Sequence, residues 1–227
     1  MAGRRFDGRR EVAIGLGVYA AYLLVRQAKL RRQGRPKAER NANRVVALER
    51  RLGIHVEPAV QGLLLHRRRL LAVLNVAYVT LNVVLTIGWL ILLFRRRDPA
   101  FHRFRRAAAL ATLGAQPVFF FFPVAPPRSL DHMTDTLREV SGFDIDTGLV
   151  AEVYDPLAAF PSIHLAFAVV TTAGLGAAAR TPWVRGAAPV YPPTVAGIVV
   201  VTGNHYVVDA VGGWMLGRLA LRLAGAA

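Results

Sequence analysis

The segment that most limits how this chain can fold runs from Leu70 to Phe94, LLAVLNVAYVTLNVVLTIGWLILLF, and contains no charged residue. Arginines bracket it, at Arg67–Arg69 before it and Arg95–Arg97 after it. About 20 consecutive apolar residues are enough for an α-helix to cross the hydrocarbon core of a bilayer, and flanking arginines place its ends among the headgroups. The sequence therefore predicts a membrane-spanning helix here.

Composition supports a membrane location for the whole chain. Of 227 residues, 54% are hydrophobic, yet the net charge is +15. A soluble domain is less apolar, and a nucleic-acid-binding protein of this charge is rarely so hydrophobic. Both properties are explained if the apolar residues lie in lipid and the arginines at its surface, with no nucleic-acid partner. The absence of cysteine excludes disulfides and thiolate metal sites.

Further apolar segments predict an all-α integral membrane bundle of about six transmembrane helices in a single domain, 1–227. Residues 1–69 form an N-terminal span plus a basic interfacial segment, and residues 70–227 form the core bundle with the active site. The first apolar segment resembles a signal peptide, but no cleavage motif follows it, so we expect a retained span. The other predicted spans cover residues 107–124, 165–179, 188–202 and 205–224.

The basic segment Arg26–Arg69 contains an amphipathic pattern. In NANRVVALERRL, Val45, Leu48 and Leu52 share one helical face and the arginines lie elsewhere. This pattern is typical of a helix that lies in the membrane interface and binds anionic lipids. A solvated amphipathic helix is the alternative.

The stretch GNHYVVDAVGG, Gly203–Gly213, contains two ionisable residues, His205 and Asp209, at the start of an apolar helix. Ionisable groups in a membrane are costly to bury and usually functional. Residues four apart share a helical face, so the carboxylate can fix the orientation and tautomer of the imidazole. Such a histidine can act as a nucleophile or base.

The predicted span order brings further chemistry to the same membrane face. His164 begins the fourth span and His205 the sixth, and Arg128 ends the third. A second histidine can act as general acid, and a guanidinium can hold phosphate oxygens. Together they indicate phosphoryl transfer that requires no metal and no cofactor. The residues predicted to contact the substrate are Arg128, Ser162, Asn204 and Tyr206.

Taken singly, these residues also have structural interpretations. A His-x-x-x-Asp pair can join two membrane helices, Ser162 can cap a helix, and Arg128 can extend to the membrane surface.

FPSIH (Phe160–His164) and GNHYVVDAVGG resemble the second and third signature motifs of the type-two phosphatidic acid phosphatase superfamily, which is related to the vanadium haloperoxidases. Those motifs read Pro-Ser-Gly-His and Ser-Arg-x5-His-x3-Asp. The resemblance covers roughly the C-terminal half of the chain. It implies that His205 forms a phosphohistidine, that Asp209 orients it, and that His164 protonates the leaving group and later activates the acceptor.

The chain departs from the family pattern where cations are expected. Val199 stands at the position of the third-motif arginine and Phe121 at that of the first-motif lysine, with Ser129 in place of proline and Ile163 in place of glycine. These departures, and the segment FFPVAPPR, resemble the branch of inositol phosphorylceramide synthases and sphingomyelin synthases.

That branch implies transfer of a phospho-head group from a lipid phosphate or phosphodiester to an alcohol acceptor. Two alternatives remain. One is a lipid phosphate phosphatase with the same residues, and the other is a non-enzymatic transporter or lipid-binding protein.

The resemblance implies an active site on the extracytoplasmic face of a bacterial plasma membrane. The arginines of Arg26–Arg69 instead predict that this face is cytoplasmic, unless anionic lipids pair with them.

The segment GFDIDTG offers Asp144 and Asp146 as cation ligands. Two carboxylates are too few for a hard cation, so a solvated loop is favoured.

Overall fold

The computed structural model of the chain describes residues 6–32, 34–145 and 155–226, and its regular elements there are all helical. The predicted all-α bundle is therefore confirmed. The helices are α1 Gly8–Arg32, α2 Gly34–Leu52, α3 Glu57–Gly62, α4 Arg68–Arg95, α5 Ala100–Phe121, α6 Thr136–Ser141, α7 Ile163–Ala178, α8 Pro182–Ala187, α9 Tyr191–Val201 and α10 Val207–Ala224.

Helices lie at all six positions where spans were predicted, namely α1, α4, α5, α7, α9 and α10. Within the described ranges, two stretches are long and apolar enough to cross a membrane: Arg68–Arg95, and Pro182–Val201, which joins α8 and α9. Helix α7 is apolar but shorter. The number of membrane crossings therefore stays a prediction.

Helix α10 packs against α5 and α7, and glycines allow its close approach to α7. A Cβ atom at Gly213 would lie 2.1 Å from the backbone oxygen of Ser162, and one at Gly217 would lie 2.8 Å from that of Ala166. Only a residue without a side chain fits against a backbone this closely. The glycines therefore fix the distance between α10 and the start of α7, where His164 lies.

Helix α2 packs on the core rather than lying apart from it. Its buried apolar residues contact a cluster that includes Tyr206, at the start of α10; they are Ala38, Ala42, Val45 and Val46. Leu48 and Leu52 are 46% and 60% exposed. Val45 therefore faces the core, whereas the other two residues of the predicted apolar face are exposed. Binding of anionic lipids by the exposed leucines and arginines of α2 stays a prediction.

The described part of the segment between α5 and α7 contains short helical elements. A 3₁₀ turn, Pro127–Ser129, carries Arg128, and α6 follows. Asp135 caps α6 by accepting a hydrogen bond from the amide of Arg138. Asp146 lies outside the described residues, so the Asp144–Asp146 cation site is untested.

We predict that Gly213→Ala lowers the thermal midpoint of the detergent-solubilised protein. The added methyl group meets a backbone oxygen that cannot move alone, and overpacking of this kind costs about 1–3 kcal/mol. Gly176→Ala is the matched control, because it lies on exposed α7 surface with nothing within 4 Å of its Cβ position. Equal midpoints for Gly213→Ala and the wild type would contradict this packing.

Candidate active site

The two predicted catalytic histidines contact each other. Nε2 of His205 lies 3.4 Å from Nδ1 of His164, and the ring centroids are 5.5 Å apart. His164 is the second residue of α7, and His205 lies two residues before α10. The predicted convergence of two helix starts on one site is therefore present in the structure.

The other ring nitrogen of His205 is held by the backbone. Nδ1 lies 2.8 Å from the carbonyl oxygen of Ala159, so this nitrogen carries the proton and donates it. Nε2 is then the basic nitrogen, and it faces His164. This arrangement suits a nucleophile, because the reactive lone pair is directed to one place.

Asp209 lies near the same ring nitrogen but bonds elsewhere as well. Its Oδ2 is 3.4 Å from Nδ1 of His205 and accepts a hydrogen bond of 2.8 Å from the amide of Tyr206. The carbonyl of Ala159 is therefore the nearer partner of the ring. Asp209 fixes the backbone immediately after His205 and places a carboxyl oxygen beside its Nδ1.

The segment that supplies the Ala159 carbonyl is anchored from both sides. Ala159 and Val124 are joined by a backbone hydrogen bond of 3.1 Å. Upstream, the carboxylate of Asp155 accepts from the amide of Leu157 and forms a buried ion pair with Lys29 of α1. Helix α1 thereby helps to hold the acceptor of His205 in place.

Two carboxylates from the N-terminal third cap α10. Oε1 of Glu57 accepts from the amide of Val207 at 2.9 Å, and Oε1 of Glu49 accepts from the amide of Val208 at 2.8 Å. Both side chains are fully buried. The free amides and positive dipole at a helix N-terminus stabilise carboxylates in this position. Sequence reasoning missed both residues, although they are among the few acids within a strongly basic stretch.

Arg128 is buried and paired. Its Nε donates to Oδ1 of Asn204 at 3.1 Å, and its Nη1 donates to Oδ2 of Asp135 at 3.0 Å. Its amide also donates to the carbonyl of Gly203. The backbone of Gly203 has φ 73°, a conformation that favours glycine. These bonds hold the guanidinium beside the loop that leads into His205.

The other predicted substrate contacts are buried, with polar groups bonded to protein. The hydroxyl of Ser162 accepts from the amide of Leu165 and caps α7. Asn204 bonds to Arg128 and to the hydroxyl of Thr202. The hydroxyl of Tyr206 donates to the carbonyl of Ala125 at 3.3 Å. These bonds place the three residues as supports of the site, and substrate contact stays a prediction for each.

His164 is held by α4. Its ring stacks on Tyr78 with centroids 4.6 Å apart, and its carbonyl accepts from the side chain of Asn82. A cavity of about 10 Å³ lies against these residues. That volume is close to the minimum for a single water molecule.

The two positions where family cations are missing lie in different surroundings. Val199 is buried below the site, and its carbonyl accepts from the amide of His205 at 3.0 Å. Phe121 is 70% exposed at the end of α5. The side chain of Val199 lines the small cavity beside His164, whereas the side chain at 121 is turned outward.

His205 is buried, with 4% of its surface exposed. Because its Nδ1–H is donated to Ala159, its Nε2 keeps the lone pair that a nucleophile requires.

Comparison with models of protein families gives a match that covers the site. The family model described as "PAP2 superfamily" matches residues 43–223, which contain both histidines, Asp209, Arg128, Glu49 and Glu57. No curated protein and no solved structure matches the chain significantly.

Proposed function

This chain belongs to the PAP2 superfamily, and we propose that it moves a phospho-head group from a lipid phosphate or phosphodiester to an alcohol through a phosphohistidine on His205. Membership confirms the superfamily predicted from the motifs and supports a phosphatase-type activity on lipid phosphates. Members are generally metal-independent phosphatases and typically membrane proteins. The finer proposal is carried by the Nε2 of His205, which faces His164 while Nδ1 donates to Ala159.

In the first step, Nε2 of His205 attacks phosphorus. The N–P bond forms as the bond to the leaving oxygen breaks, and a protonated His164 gives its proton to that oxygen. The anionic phosphate favours the protonated form of His164, because a nearby negative charge stabilises an imidazolium. The diacylglycerol or other lipid alcohol then leaves.

In the second step, neutral His164 accepts the proton of the incoming hydroxyl group. The hydroxyl oxygen attacks phosphorus, the N–P bond breaks, and the neutral imidazole of His205 is restored. From a lipid phosphate, water as acceptor gives free phosphate and an alcohol gives a new phosphomonoester. From a phosphodiester, water gives a free phospho-head group and an alcohol gives a new phosphodiester. Arg128, held beside the loop that leads into His205, supplies positive charge that stabilises the phosphoryl oxygens.

Three features favour an alcohol over water. Val199 leaves the environment of His205 without the arginine of the phosphatase motif, and the APPR segment that carries Arg128 resembles the inositol phosphorylceramide synthases. The site is also enclosed, which limits the access of water. We therefore propose a lipid head-group phosphotransferase of that branch, with hydrolysis as the alternative.

A transporter is the less favoured class. Relay residues of a transporter lie towards the membrane midplane in several spans. Here both histidines lie at helix starts, and their contact with each other is suited to chemistry at one end of the bundle. We propose that this end faces the extracytoplasmic side of the membrane.

The test is a product assay with purified protein in detergent. The donors are phosphatidic acid, a polyprenyl phosphate, phosphatidylinositol and phosphatidylcholine, each with and without ceramide, diacylglycerol or inositol as acceptor. We expect a new phosphodiester lipid whose formation needs both donor and acceptor. His205→Ala and His164→Ala should each lower the rate at least 10³-fold, since each removes a group that bonds to the reacting atoms.

His66→Ala is the matched control, because His66 is an exposed histidine outside the site. It should retain full activity. Hydrolysis products alone in every mixture, free phosphate from the lipid phosphates or free phospho-head groups from the phosphodiesters, would establish hydrolysis instead. Wild-type rates in either active-site variant would overturn the mechanism.

A further inference from the structure

A second cluster of ligating side chains lies on the other side of the α10 N-terminus from the catalytic pair. Within the described ranges, Glu49, His55 and Glu57 form a group whose potential ligand atoms all lie within 4.8 Å of one another. Nδ1 of His55 is 3.0 Å from Oε2 of Glu57 and 3.5 Å from Oε2 of Glu49. Helix α2, the turn that follows it and α3 each supply one residue.

The atoms that converge there lack hydrogen-bond partners. Oε2 of Glu49, Oε2 of Glu57 and Nδ1 of His55 are buried and make no aligned hydrogen bond. The contacts of His55 are therefore close without directing an N–H group at either oxygen. Both carboxylates are fully buried, and their other oxygens already accept from the amides of α10. Two buried carboxyl oxygens and a ring nitrogen that face one another without hydrogen-bond partners need a cation or a proton between them.

We propose that Glu49, His55 and Glu57 bind one divalent transition-metal ion, with Zn²⁺ as the best match. Nitrogen and carboxylate ligands at bonds of about 2.0–2.2 Å in tetrahedral geometry lie about 3.4 Å from each other. The observed separations of 3.0 Å and 3.5 Å bracket that value. Ca²⁺ and Mg²⁺ fit less well, because they take six or more oxygen ligands.

The fourth coordination position faces a partly open side. The side chain of His55 is 12% exposed, and the exposed His132 has its ring centroid 5.9 Å from that of His55. Water or His132 can complete the coordination. This opening provides a path for the ion to enter.

The ion would join the N-terminal helices to the catalytic helix. Each glutamate would bind the ion through Oε2 while its Oε1 accepts a hydrogen bond from an amide of α10. Hydrogen bonds of this kind commonly fix the orientation of a metal ligand. The amides belong to Val207 and Val208, which follow His205 by two and three residues. The site is distinct from the reacting phosphate, so the proposed chemistry stays metal-free and the ion has a structural role. This inference does not depend on the proposed reaction.

The test uses the full chain without an affinity tag, purified in detergent and dialysed against a chelator. Zn²⁺ is then added, and binding is measured by calorimetry and by metal analysis after gel filtration. We expect about one Zn²⁺ per chain and a higher thermal midpoint with Zn²⁺ than without, because a ligand that binds only the folded state stabilises it. Mg²⁺ and Ca²⁺ should have no effect on the midpoint.

The informative variant is Glu49→Gln with Glu57→Gln. Glutamine keeps an oxygen that can accept from the α10 amides but replaces the second ligand oxygen by an amide nitrogen, so the fold is retained while the metal site is lost. The double variant and His55→Ala should each bind Zn²⁺ at least 100-fold more weakly.

His66→Ala and the inactive His205→Ala should bind like the wild type, which separates this test from the test of activity. No Zn²⁺ binding by the wild type would overturn the proposal and leave a proton as the charge between the carboxylates. Equal binding by the double variant would overturn it as adventitious binding at surface histidines.

Discussion

The site depends on how the first turn of α10 is capped. Three successive amides, those of Tyr206, Val207 and Val208, each donate to a buried carboxylate, from Asp209, Glu57 and Glu49 respectively. An N-terminal turn usually has one side-chain cap, worth about 1 kcal/mol. Here two of the three caps come from α2 and α3. The N-terminal helices and the catalytic helix are therefore locked together directly beside His205.

This lock gives the catalytic histidines their geometry. With the backbone after His205 fixed, its ring is confined between the carbonyl of Ala159 and the ring of His164. The close packing of Gly213 against Ser162 sets the distance from the other side, because it fixes α10 against the start of α7. The histidines are in contact at 3.4 Å, so a phosphoryl group must separate their rings when it enters.

Sequence reasoning predicted the parts of this structure that depend on local pattern. Apolar segments gave the positions of the long helices, and the alternation of spans placed His164 and His205 at one end. It did not find Ala159, because a backbone acceptor has no sequence signature. Glu49 and Glu57 were missed because their partners lie about 150 residues away in the chain. On α2 the shared helical face did not show which residues are buried, since Val45 packs in the core with Ala38 and Ala42 while Leu48 and Leu52 are exposed.

The most direct test of the account is to trap the covalent intermediate. Purified protein is mixed with a lipid carrying radiolabelled phosphate and quenched in base, in which phosphohistidine survives, and the labelled peptide is sequenced by mass spectrometry. The account predicts a phosphoryl group on Nε2 of His205, absent from His205→Ala. A label on another residue, or steady turnover with no labelled protein at any time, would contradict it.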